Sequence, residues 1–143
     1  MNSETPLIRY SYRSFQSTET ITVYKERITV EYNKKISRPS EDITFRNPVQ
    51  IEVRDADFIK NIILTSTYAQ FKEPMKKTYD QVNSLDPKTL TRPKNSAQQV
   101  LSLNVDEDFS ATVDMFVKEY GTIFTKFVGY LRNIIKIRID SKK

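Results

Sequence analysis

Hydrophobic and polar residues alternate through the first half of the chain. Between Leu7 and Ser14, Ile8, Tyr10 and Tyr12 alternate with Arg9, Ser11 and Arg13. That is the period of a strand with one buried face. Glu19–Lys25 repeats it with Ile21 and Val23, and Arg27–Lys34 with Ile28, Val30 and Tyr32. The last two runs are almost contiguous, so a tight hairpin near Lys25–Glu26 is expected, without the Asn-Gly pair that marks such turns most strongly. Residues 36–42 form a turn-rich break. Ile43–Arg46 and Val49–Arg54 then supply one interrupted strand or two short ones, with Pro48 pointing to an edge or a bulge.

The period changes at Asp55, a suitable N-cap for a helix in which Phe58, Ile59, Ile62 and Ile63 recur at helical spacing. Thr65 and Thr67 weaken its second half, and a helix over 55–71 is expected to end before Pro74. Residues 72–105 read as a basic, proline-containing connection, with a short helix permitted by Met75, Tyr79 and Val82. From Phe109 to Ile135, apolar residues recur at steps of three, four and one, which predicts a long amphipathic helix over 106–139. Asp106 or Asp108 would cap it. At 1.5 Å per residue, 106–136 would run roughly 46 Å, against about 30 Å for the width of a domain this size. Such a helix should overhang the sheet, break, or pack on a second molecule. Ile135, Ile137 and Ile139 alternate strictly with Lys136 and Arg138, so a strand is the alternative for the last residues.

The chain has only two glycines. Gly121 and Gly129 both fall inside the long helical pattern, with Thr125 midway. A small-residue row of this kind lets another backbone approach closely. Gly121, Thr125 and Gly129 are therefore the candidate helix–helix contact, with a homodimer as one outcome. Close packing on the chain's own sheet, or a break at Gly121, accounts for the same glycines.

Composition removes much chemistry. With no Cys and no His among the 143 residues, disulfides, thiolate metal sites, histidine bases and Ser or Cys triads are excluded. Both glycines lie in the helical pattern, so no phosphate-cradling loop is expected. No cofactor is expected. The N-terminus lacks a secretory h-region and no apolar run is long enough to span a membrane, which makes a cytoplasmic protein without a membrane span the expectation.

The net charge of +5 is unevenly placed. Residues 72–105 carry six basic and three acidic side chains, and 118–143 carry seven and two. Charge runs of this kind often mark only solvated faces or complement helix dipoles. A single-stranded nucleic-acid surface is nevertheless one reading, with Arg9, Arg13, Lys25, Arg27, Lys76, Lys77, Arg92 and Lys94 for phosphates and nearby tyrosines for stacking. Against it, Tyr10 and Tyr12 share the face of Ile8 and should point inward. Asp42, Glu52 and Arg54 loosely match the carboxylates and cation of a divalent-metal nuclease, a pattern that alternating surface charge also produces.

The sequence thus predicts one α+β domain over residues 1–143. An antiparallel sheet of four or five strands packs on a long C-terminal helix, with a shorter helix before it. The leading functional expectation is a non-catalytic protein-binding or assembly module that self-associates through the C-terminal helix.

Overall fold

A computed structural model describes residues 5–34, 49–94 and 97–141. The alternating segments form β1 (Ile8–Arg13), β2 (Ser17–Val23), β3 (Arg27–Lys34) and β4 (Val49–Arg54), and the second half adds β5 (Gln98–Asn104) and β6 (Ser110–Asp114). All pair antiparallel in one six-stranded sheet of order β4-β3-β2-β1-β5-β6. The hairpin at Lys25–Glu26 is present, closed by Tyr24 N–H to the Arg27 carbonyl at 2.8 Å. The expected strand at 43–46, with Asp42 and Pro48, lies outside the described residues.

Register sorts side chains into rows that cross the strands. Val53, Ile28, Val23, Ile8, Leu103 and Ala111 form one row, and Ile51, Val30, Ile21, Tyr10, Leu101 and Val113 the next. Both rows face the helices and supply the floor of the core. The third row is polar: Tyr32, Glu19, Tyr12 and Gln99. The opposite face carries Arg9, Thr20, Thr29, Glu31, Glu52 and Thr112, and no helix among the described residues covers it. An antiparallel sheet tolerates this division because alternation separates the two chemistries.

The helical layer begins with α1 (Ala56–Phe58), continues as a π-helical stretch (Ile59–Tyr68) and ends as α2 (Ala69–Asn83), one after another without a break. Asp55 caps it by accepting a hydrogen bond from Phe58 N–H at 3.1 Å. α3 (Ile123–Asp140) runs back antiparallel to it. Phe127 meets Tyr68 and Phe71 with ring centroids 6.1 and 5.7 Å apart, and the Arg138 guanidinium holds the Asp55 carboxylate at the far end.

Four expectations are corrected. The sheet has six strands because residues 98–104 and 110–114, assigned to a connection and to a helix start, pair with β1 and with each other. The first helix passes through Pro74, because Phe71, Met75 and Val82 on both sides of it are buried and that packing outweighs the missing N–H. The C-terminal helix starts at Ile123, not at 106, and stays helical to Asp140. Finally, the overhang disappears: at 18 residues, α3 is about 27 Å long, close to the roughly 24 Å spanned by five strand spacings.

Candidate functional site

The apolar stripe of α3 was expected to need a neighbour, but its own chain covers it. Phe124, Phe127, Val128, Leu131, Ile135 and Ile139 are all buried. Gly121 does not belong to the helix either. It follows a short 3₁₀ turn (Lys118–Tyr120) with φ +67° and ψ −142°, a conformation reserved in practice for glycine. Gly121, Thr125 and Gly129 therefore do not form one helical row. Thr125 and Gly129 remain on α3 and are exposed.

The outward face of α3 holds a different arrangement. Lys126, Gly129, Tyr130 and Asn133 line a shallow, mostly apolar depression of about 380 Å³. Their spacing is i, i+3, i+4, i+7, the four-residue hole into which a knob from a facing helix fits. Nothing stands within 4 Å of where a Cβ on Gly129 would lie. Tyr130 is 55 % exposed, tilted against Phe71 with centroids 5.3 Å apart. One turn beyond the hole, Ile137 is 59 % exposed. Composition points to the glycine, whereas Tyr130 stands outside the apolar periodicity and Ile137 falls in the alternation of the last residues.

A second concavity lies where the third sheet row emerges beyond α3. Tyr10, Tyr12, Ser14, Gln16, Ser17, Glu19, Tyr32, Gln99 and Arg132 line a cleft of about 270 Å³. Arg132 reaches down from α3 and grips Glu19 with two hydrogen bonds, Nε at 2.5 Å and Nη2 at 2.7 Å. Glu19 is 4 % exposed. Burial works against the Arg132 charge, but hydrogen bonding and attraction from Glu19 outweigh it and hold the guanidinium above its ordinary pKa. Gln99 donates to the Tyr10 hydroxyl at 2.9 Å. Burial pushes the Tyr10 phenol up to about 12, so it stays protonated at neutral pH. No sequence signal singled out Glu19 or Arg132. Position 19 alternates with the apolar residues of β2 and so belonged to the core face, which is the one readable hint.

The basic residues of the nucleic-acid reading are scattered over β1, the β2–β3 hairpin, α2 and the loop before β5. Arg9 and Arg13 project from the open sheet face, while Tyr10 and Tyr12 of the same strand face the helices, so β1 does not interleave cations with stacking rings. Arg27 lies 4.0 Å from the Tyr24 ring centroid and 3.3 Å from Glu52, beside Lys25 in the hairpin. Lys76 pairs with Asp108 at 2.9 Å and Arg92 with Asp114 at 2.7 Å. Lys77 is exposed on α2 and Lys94 lies in the loop before β5. Glu52, a carboxylate of the nuclease reading, is bound by Arg27 and Arg54. Asp42 is outside the described residues, among which no group of three potential metal ligands occurs.

No family model matches the chain, and no curated protein or solved structure shows significant similarity to it. Among the described residues, no helix is long and apolar enough to cross a membrane.

Proposed function

We propose that the protein is a non-catalytic assembly module whose α3 helices pack antiparallel across a two-fold axis beside Asn133. The observation that carries this reading is a hole and a knob on one exposed helix face. Asn133 lies midway between Gly129 and Ile137, so a two-fold axis there seats Ile137 of each copy in the hole around Gly129 of the other. Such an interface is isologous and closes as a dimer. The same axis brings Lys126 of one copy towards the Asp140 end of the other, where Asp140 already pairs with Lys136 at 2.5 Å.

The natural chain has no cysteine, so a single introduced thiol reports one position without interference. Asn133→Cys, oxidised in dilute solution, should form a disulfide-linked dimer, because the axis brings the two Cα atoms to bridging distance, about 4.4–6.8 Å. Adding Ile137→Asp should abolish the crosslink. Thr112→Cys on the open sheet face serves as the exposed control. An Asn133→Cys chain that crosslinks no faster than this control would overturn the proposal.

A further inference from the structure

The geometry points to the cleft beyond α3 as a binding site for a neutral, hydroxyl-rich ligand of single-sugar size. It lies on the side of α3 bearing Arg132, away from the Tyr130–Ile137 face, and does not depend on self-association. Its lining combines phenols from Tyr10, Tyr12 and Tyr32, the amides of Gln16 and Gln99, and serine hydroxyls. These groups both donate and accept hydrogen bonds, as a polyol requires. The two charges at its floor, Glu19 and Arg132, are engaged with each other at 2.5 and 2.7 Å. An anion entering the cleft therefore meets the Glu19 carboxylate beside Arg132, the one cation among the described lining residues, and a cation meets the reverse. A neutral ligand avoids both penalties.

Size and rim support the same class. At about 270 Å³ the cleft falls below the roughly 300–1,000 Å³ usual for drug-sized ligands. Phe15 stands between the lining residues Ser14 and Gln16 and is 75 % exposed, the most exposed of the large hydrophobic side chains described. Its turn is firmly built: Ser14 Oγ accepts from the N–H groups of Gln16 and Ser17 at 3.1 Å each, and Ser14 N–H donates to the Ser17 carbonyl at 2.8 Å. An exposed aromatic on the turn between two lining residues offers a flat apolar surface to the C–H face of a sugar ring, while the cleft satisfies its hydroxyls.

The test is a titration of the full-length protein followed by amide NMR. The probes are glucose, galactose, mannose and N-acetylglucosamine, with inorganic phosphate and guanidinium as charged comparators. At least one sugar should give saturable shifts at the side-chain amides of Gln16 and Gln99 and the backbone of Ser14–Ser17. Phe15→Ala and Gln99→Ala should each weaken that binding about tenfold or more, the equivalent of one good contact. Phe15 is exposed, so its removal leaves the fold intact. The inference is overturned if no sugar shifts these signals up to about 10 mM, tenfold above a Kd of about 1 mM. It is equally overturned if phosphate or guanidinium binds the cleft more tightly than every sugar, or if sugar binding survives both substitutions unchanged.

Discussion

Glu19 and Arg132 differ in how much each depends on the other. The Glu19 side chain is 5 % exposed and that of Arg132 33 % exposed, so only Arg132 has partial access to water. Removing the guanidinium leaves a buried carboxylate without its cation, whereas neutralising the carboxylate leaves a cation still partly hydrated. Arg132→Met is therefore expected to cost about 3–5 kcal/mol, the range for breaking one side of a buried pair. Glu19→Gln, which keeps a hydrogen-bonding side chain of the same shape, should cost about 1–2 kcal/mol. Urea unfolding of both variants measures the difference, and equal losses would show that burial does not distinguish the partners.

At the scale of elements, the helix through Pro74 shows packing overriding propensity. Proline in a helix interior is about 3 kcal/mol less favourable than alanine, while its restriction of the unfolded chain returns about 1 kcal/mol. Pro74 is exposed, so Pro74→Ala should stabilise the protein by up to about 2 kcal/mol, seen as a higher urea midpoint at unchanged slope. The same contest explains what the sequence could and could not reveal. β1 to β3 were legible because one face is apolar and the other polar, residue by residue. β6 was not, because Phe109, Val113 and Val117 are four apart, and a step of four fits both two strand repeats and about one helical turn. Ala111 and Met115, also buried, complete the strand period, but alanine is a weak marker. β5 was obscured by Gln98 and Gln99 at its start. Of the candidate sites, glycine scarcity led to Gly129, but the positive φ of Gly121 is a backbone property that composition does not carry. The Glu19–Arg132 pair joins residues 113 positions apart, and only the fold brings them together.

Across the whole molecule, salt bridges tie the helical layer to the sheet at both ends. Arg138 binds Asp55 beside β4. At the other end, Lys72 lies 3.0 Å from Asp106 and 3.1 Å from Asp108, and Lys76 lies 2.9 Å from Asp108. Burial alone would raise the Asp106 pKa, but hydrogen bonds from Lys72 and from Phe109 N–H overcome it and lower it, and the two lysines lower that of Asp108. The same contacts raise Lys72 and Lys76. Carboxylates depressed in the folded state stabilise it above their unfolded value of 3.8, and that contribution is lost as pH falls through the folded values. The lysines contribute below their unfolded value of 10.5 and lose it as pH rises through the folded ones. The melting temperature should therefore fall on both sides of this window. In Asp106→Asn/Asp108→Asn it should fall less steeply as the pH drops below the unfolded carboxylate value of 3.8. An unchanged acid slope would mean the network adds nothing.

The position of β1 has a consequence for synthesis. Although first in sequence, β1 is an interior strand, and its second neighbour, β5, is made about ninety residues later. A nascent chain that has completed β1–β4 and the first helix still carries an open edge of unpaired backbone groups along Arg9, Ser11 and Arg13. Bare edges of this kind recruit other strands. A polypeptide stopped after residue 94 should accordingly form insoluble, β-rich aggregates. Supplying residues 95–143 as a separate polypeptide during refolding should restore solubility by completing the ladder, and a soluble, monomeric truncated chain would show that the exposed edge is tolerated.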